Sequence, residues 1–568
     1  MKFFVSQFSY FLADKDAQRN LRALRTYLFF MLGVIFVFSV LFHFIMHYAE
    51  GQEHSWLTGL YWTLTVMSTL GFGDITFHSD LGRLFSLLVL LSGIILLLIM
   101  LPFAFIRYFY APWLEAQLHA QAPRKVPADF RDHVIICQRD SITPGLTRRL
   151  TFNRIPFVVL EPDPTVAARL NSPDFRVVTG EIDHRDTYEN LRVDSARLVF
   201  ANAEDTTNTN ITLTVRSVSQ QAPILALAEE EASIDIFELS GANETLPLKR
   251  RLGEQLASRL SVGIGTAHVV GSFKDLKIVE FLVHHTPLAG KTLKETRLRQ
   301  ETGINVVAVW QQGQLMPVGP DLKLENTMVP VAVGTHDQVE RLNQLLGSAP
   351  NRPQKPVMVI GMGKVGISTA HALKKLGIRV HLVEKDERLR RQLEGQFDHV
   401  VFGDAADLQI LEKAGIHDVG AVALTTNSDA VNIHLTVYCR RLQPDLNIVT
   451  RVTKERNVEA IYRAGADFVQ SYASLGREFI MALLLNREPI MVGEGADFFS
   501  VDVPPRLVGS SLADSQIGAQ TGLIVIAIET DSQTLTNPHP ATRLEKDARL
   551  VMLGTNAQRS RFLEAFEK

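Results

Sequence analysis

Two short stretches of this chain combine residue types and spacing that could do chemistry. The first is Thr69-Leu70-Gly71-Phe72-Gly73-Asp74. Glycines at alternate positions permit backbone angles closed to other residues, so successive carbonyls can point the same way. Four such segments in a ring would replace the hydration shell of K⁺ with backbone oxygens and the Thr69 hydroxyl. The second is Gly361-Met362-Gly363-Lys364-Val365-Gly366, which follows the apolar run Val357–Ile360 and leads into the helical pattern Ile367–Leu376. Its glycines suit a tight turn, close approach to a pyrophosphate and close helix packing, with the helix N-terminus facing the phosphates. Glu384 closes the next apolar run after that helical pattern. A carboxylate there suits a ribose diol and opposes a 2′-phosphate, which favours NAD⁺ or another adenine nucleotide over NADP⁺.

The first stretch needs a membrane around it. The runs from Tyr27 to Met46 and from Leu84 to Phe105 contain no Asp, Glu, Lys or Arg. At about 1.5 Å per residue each run spans about 30 Å, the thickness of a hydrocarbon core. Neither shows an amphipathic period, against a buried soluble helix. The first lacks a small-residue cleavage site and is followed by a second span, against a removed signal. Lys2, Lys15, Arg19, Arg22 and Arg25 precede the first span, and Arg107, Arg124 and Lys125 follow the second. Positive flanks stay inside, so both termini are expected in the cytoplasm and residues 49–80 outside. The helical run from Trp56 into Thr69 is expected to be buried in protein. Gly93, in the middle of the second span, is either a hinge or a small residue for close helix packing. Leu97 lies just below it, near the expected constriction, and Pro102 is a second candidate for a kink.

The remainder is one unit written twice. His133–Ile136 matches Val357–Ile360 and Asp205–Asn208 matches Asp429–Asn432, both at the same offset along the chain. A near-constant offset over such a length marks an internal duplication. Short β-branched runs alternate with helical patterns in each copy, the mark of βαβ units and a parallel sheet. The first copy has lost the glycines: its turn reads Cys137-Gln138-Arg139-Asp140. Acidic residues gather instead at neighbouring loops, with Glu181 and Asp183 after one strand and Glu229, Glu230 and Glu231 after another. They are read either as Ca²⁺ ligands (Glu181, Asp183 and Glu229) or as a solvated acidic rim.

Over positions 1–110 the chain resembles the potassium channel family, whose usual filter is Thr-Val-Gly-Tyr-Gly-Asp. Leu70 and Phe72 stand here for Val and Tyr. Carbonyls coordinate the ion, so K⁺ selectivity is expected, but Phe72 lacks the hydroxyl that braces the family's filter from behind. The second copy resembles the RCK (regulator of potassium conductance) family, built of TrkA-N and TrkA-C domains. The glycine turn, Glu384-Lys385, Gly403-Asp404-Ala405, Thr425-Thr426-Asn427-Ser428-Asp429, Asn432 and Arg451-Val452 carry the likeness. What the resemblance implies is a nucleotide in the cleft, with Asp404 and Thr426 near its base or ribose and Arg451 near its phosphates. The first copy matches more loosely through Gly180, Asp205, Asn208 and Asn210. Together the likenesses point to the prokaryotic, multi-ligand-gated, GsuK-like type of tandem-RCK channel.

The expected fold is an α-helical membrane pore domain (1–110), a linker (111–130) and two α/β Rossmann-like RCK domains, each with a small α+β TrkA-C subdomain. The first RCK domain covers 131–268 and 269–346, a linker 347–356, and the second 357–488 and 489–568. A homotetramer in the plasma membrane would close a gating ring from its own chains. The 58 basic and 61 acidic residues give a net charge of −3, without the basic footprint of a nucleic-acid partner. Cys137 and Cys439 are the only cysteines, so no disulfide framework exists. A membrane-anchored dehydrogenase and a regulatory subunit of a separate transporter are the rival readings. Neither explains Thr69–Asp74, and no Cys/His or Tyr/Lys catalytic set stands out, so an enzyme is not expected.

Overall fold

The computed structural model describes residues 15–111, 114, 122–261, 267–273, 275–283, 286–311, 314–326, 328–347, 355–397, 399–489, 496–530, 534–536 and 538–567. Lys2, Pro112 and most of the 347–356 linker lie outside them. The chain divides into two compact units, one reaching to Arg124 and including Pro162–Asn171, the other holding Lys125–Glu161 and Ser172–Lys568.

In the first unit α1 (Lys15–Ala49) and a second long apolar helix, over residues 80–110, flank the short α2 (Trp56–Met67). Met31, Ile35, Phe38, Phe42 and Met46 recur every three or four residues and so share one face of α1. They are buried with Trp62, Met67, Phe77, Phe85 and Val89. The opposite faces present Phe29, Phe36, Leu84 and Phe103 outward, as apolar solvent or neighbouring apolar helices would allow. Ser55 caps α2 by accepting from the Thr58 N–H at 3.3 Å, and Glu50 accepts from the N–H groups of His78 and Ser79 where the next helix begins.

That helix, α3, is α-helical over Asp80–Gly93 and widens into π turns over Ile94–Met100 and Ile106–Tyr110. The Tyr27 hydroxyl of α1 donates to the Leu96 carbonyl within the first π stretch. Gly93 keeps ordinary helical angles, and a Cβ there would strike the backbone of Met67. Close packing of α3 on the end of α2 therefore requires glycine at this position. Leu97 is partly buried against the same cluster, and Pro102 opens the short α-helical segment Leu101–Phe105.

In the second unit, the first copy forms a six-stranded sheet ordered β3-β2-β1-β4-β5-β6. Its strands are β1 His133–Ile136, β2 Phe157–Glu161, β3 Val177–Thr179, β4 Ala196–Ala201, β5 Ile224–Leu227 and β6 Glu244–Leu246. An antiparallel sheet of five strands follows, from β7 (His268–Phe273) and β8 (Leu276–Glu280) through β9 (Asn305–Gln311) and β10 (Gln314–Pro317) to β11 (Val329–Gly334). The second copy repeats the first order as β14-β13-β12-β15-β16-β17. These strands are Val357–Ile360 (β12), Val380–Glu384 (β13), His399–Phe402 (β14), Ala421–Leu424 (β15), Asn447–Val452 (β16) and Phe468–Ser471 (β17). All pairings within both six-stranded sheets are parallel. A four-stranded antiparallel sheet ends the chain.

Continuous apolar runs such as Val357–Ile360 are buried on both faces, as parallel strands covered by helices must be. The two copies share one core. Helix α4 (Leu248–Ser261), from the first copy, packs on α5 (Lys364–Lys375), from the second, and Leu252, Leu256, Val365 and Leu373 are buried together. The approach is tight: a Cβ on Gly253 would lie 2.5 Å from Ser368 Cβ and 2.7 Å from the Val365 carbonyl. Arg259 of α4 is buried against Glu280 of β8, which also accepts from Trp310 Nε1 at 3.1 Å. The Arg259 guanidinium lies 4.6 Å from the Phe468 ring of β17, so one buried pair touches both copies. Removing either partner would leave an uncompensated charge in the core.

Candidate functional site

After α2 the chain turns through Ser68, and the Thr65 carbonyl accepts from both Leu70 N–H and Gly71 N–H at 2.9 and 3.1 Å. Thr69, Gly71 and Gly73 then take left-handed φ angles of +64°, +45° and +76°. A Cβ at Gly71 or Gly73 would meet nothing within 4 Å, so backbone angle and not space favours glycine there. Two residues that sequence reasoning passed over brace this segment. The Tyr61 hydroxyl donates to Asp74 at 3.0 Å while its ring stacks on Phe72, and Trp62 Nε1 donates to the Ile75 carbonyl at 3.2 Å. Tyr61 thus ties the segment to α2 where Phe72 has no hydroxyl to offer. The signal available in the sequence was the aromatic pair one helical turn into α2.

In the second copy the glycine turn connects β12 to α5. Gly361 has φ of +92°, and its N–H donates to the Val383 carbonyl at 2.9 Å. A Cβ at Gly366 would strike the Gly361 carbonyl, so the third glycine lets the helix close on the turn. At Gly363 the nearest atom to an added Cβ is Asn427 Nδ2, 4.0 Å away, which leaves this side of the turn open. Gly363 is the N-cap of α5 and no side chain caps it, so the first helical N–H groups face outward, the geometry that receives an anion.

Glu384, at the end of β13, accepts from the N–H groups of Met362 and Asp386, so the expected ribose acceptor also braces the turn. Thr426 lies against Gly361, and its hydroxyl donates to Asn432 at 2.7 Å. Arg451 is buried at the end of β16, where desolvation lowers its pKa. It donates to Asn427 at 3.0 Å and Thr453 at 2.9 Å, while its Nε has no hydrogen-bond partner. Asn427 therefore links Arg451 to the open side of the turn. Lys385 and Asp404 form a pair at 2.7 Å that holds the Asp404 carboxyl below its usual range.

The structure brings the turn, Glu384, Thr426 and Arg451 to the carboxyl ends of β12, β13, β15 and β16, where an open α/β sheet binds ligands. Met362, Val365 and Ala405 have buried side chains. They belong to the core, and Met362 contributes to the turn through its N–H alone. Lys364 extends instead to the first copy, 2.5 Å from Glu230.

The first copy's turn is closed by its own side chains. Asp140 accepts from the N–H groups of Ile142 and Thr143 at 3.0 and 2.9 Å, at the start of helix Thr143–Phe152. Asn202 clasps the Gln138 backbone from both sides, and Cys137 is buried beside Tyr188, its thiol pushed up to about 12 by desolvation. The expectation of a metal centre from Glu181, Asp183 and Glu229 is not met. Among the described residues no group of three or more His, Cys, Asp or Glu is placed to hold an ion. Cations from other elements neutralise the 229–231 loop: Lys249 reaches Glu229, Arg250 reaches Glu231 and Lys364 reaches Glu230.

Two long apolar helices with a glycine-rich segment between them, followed by two Rossmann-like sheets, are the layout of a channel-type helix pair with a duplicated α/β module. A family model described as an ion channel matches residues 30–109, TrkA-N domains match 134–247 and 357–472, and TrkA-C domains match 278–347 and 498–567. A solved structure of the GsuK channel bound to NAD is 37% identical, covers 96% of this chain and 99% of that one, and has a TM-score of 0.54. Probable potassium channel protein 2 of Methanocaldococcus jannaschii is 23% identical over 53% of this chain and 92% of its own length. A Trk system potassium uptake protein TrkA homolog of Pyrococcus horikoshii is 23% identical over 37% of this chain and 97% of its own. The chain belongs to the family of potassium channels that carry tandem TrkA-N and TrkA-C (RCK) domains.

Proposed function

We propose that this chain is one subunit of a homotetrameric, K⁺-selective channel of the plasma membrane, gated from the cytoplasm by NAD⁺ or an adenine nucleotide. Four chains supply four Thr69–Asp74 segments, whose carbonyls coordinate K⁺, and eight RCK units, enough to close a ring. Both termini and the RCK domains lie on the cytoplasmic side, with the domain limits given above. The observation that carries the gating reading is the uncapped α5 N-terminus at Gly363, with Glu384 and buried Arg451 beside it. NAD bound to the GsuK channel, which is 37% identical, supports the same reading.

Lys385 and Asp404 extend the cleft toward the base and ribose. A ligand shifts the pore only by binding the open and closed rings with different affinity. In the pore, bending of α3 near Gly93 or Pro102 would carry Leu97 into or out of the permeation path. The purified protein in liposomes should pass K⁺ in preference to Na⁺, and Gly71→Ala should abolish that preference while assembly persists. Equal K⁺ and Na⁺ flux through the unaltered protein would defeat the filter assignment.

A further inference from the structure

Lys364 is the first residue of α5, next to the uncapped Gly363. A phosphate received at that helix end would have the Lys364 ammonium as its nearest cation on the turn. That ammonium is engaged by the other copy, 2.5 Å from Glu230 and 3.9 Å from Glu229. The acidic loop is held in place. Asp205 accepts from the N–H groups of Glu229 and Glu230 at 2.8 and 2.9 Å and from the Ser233 hydroxyl at 2.6 Å. Lys249, on α4, holds Glu229 at 2.7 Å, and the close packing of α4 on α5 sets the two loops side by side. The corresponding residues of the second copy are Thr453 and Lys454, so the acidic pair is peculiar to the first.

We propose that the Glu229–Glu230 loop is a tethered anionic competitor for the phosphate end of the second copy's cleft. This rests on the nucleotide reading above. Lys364 exchanges Glu230 for a pyrophosphate oxygen when a dinucleotide or nucleoside diphosphate binds, and the exchange breaks a contact between the copies. The first copy thereby reads the occupancy of the second without binding nucleotide itself. The lysine and Glu230 side chains are 41% and 60% exposed, which keeps the pair weak enough to exchange.

Calorimetric titration of the full-length channel with NAD⁺ tests this in four proteins: unaltered, Glu230→Gln, Lys364→Gln and the double variant. Glu230→Gln should tighten NAD⁺ binding by about two- to fivefold, the range of one exposed ion pair. Lys364→Gln should weaken it, and in that background Glu230→Gln should change nothing further. Unchanged or weaker binding in Glu230→Gln, or a gain that persists without Lys364, would overturn the competition while leaving the site intact. Failure of both the unaltered protein and Glu230→Gln to bind NAD⁺ would overturn the nucleotide reading itself, and this inference with it.

Discussion

Asp205 in the first copy and Asp429 in the second occupy equivalent positions and bind equivalent partners. Each accepts two backbone N–H groups and one side chain from the loop after the next strand: Glu229, Glu230 and Ser233 in one, Thr453, Lys454 and Asn457 in the other. Asn208 and Asn432 each donate to a carbonyl at the end of that strand, Leu227 and Arg451. Arg216 and Arg440 each donate through Nε to the carbonyl of a matching glycine, Gly241 and Gly465. The copies part at the turn. One fills its helix end with Asp140, the other leaves Gly363 uncapped, and where the second has buried Arg451 the first has Leu227. Side chains that satisfy buried backbone groups are held in both copies by the cost of leaving those groups unpaired. Residues that would face a ligand are under no such constraint, and there one copy has become a self-capped scaffold.

The largest expected effect comes from giving the second copy an obstruction of its own. Gly363→Asp places a carboxylate where the turn is open and should abolish NAD⁺ binding by calorimetry, while K⁺ flux persists. Arg451→Leu, which copies Leu227 at the equivalent strand end of the first copy, should weaken nucleotide binding by about 1.5–3 kcal/mol for one charged hydrogen-bond donor. Glu384→Ala should cost about 1–3 kcal/mol of binding, partly because the Met362 and Asp386 N–H groups lose their acceptor. Asp205→Asn and Asp429→Asn should lower thermal stability by similar amounts, about 1–2 kcal/mol each, because both hold equivalent loops. A large difference between those two would break the equivalence of the scaffolds. The smallest effect belongs to Arg139→Asp: nucleotide affinity should stay within about twofold, under about 0.5 kcal/mol, as for a surface change away from the site.

Much of this was legible in the sequence because it depends on local pattern. Uncharged runs the length of a bilayer, a filter-like glycine alternation and a repeated offset need no tertiary information. The glycine turn could be read because its angles and close approaches restrict residue type, and Gly361 and Gly366 show why. The partners of charged side chains could not be read. The acidic loops could be read either as Ca²⁺ ligands, from Glu181, Asp183 and Glu229, or as a solvated rim, yet Lys249, Arg250 and Lys364 reach Glu229, Glu231 and Glu230 from other elements. That arrangement depends on α4 packing against α5, which no local spacing encodes. Tyr61 was missed for a similar reason: its bond to Asp74 exists only once the chain folds back behind α2. Met362 and Val365 were grouped with the turn by position, while their side chains point into the core.

Single-channel recording with NAD⁺ on the cytoplasmic face tests the central claim most directly, with the unaltered channel and Gly363→Asp compared in the same bilayer. The account predicts that NAD⁺ changes the open probability of the unaltered channel, and that Gly363→Asp conducts K⁺ with the same unitary current but ignores NAD⁺. An unaltered channel indifferent to NAD⁺, or a Gly363→Asp channel that responds as the unaltered one does, would contradict it.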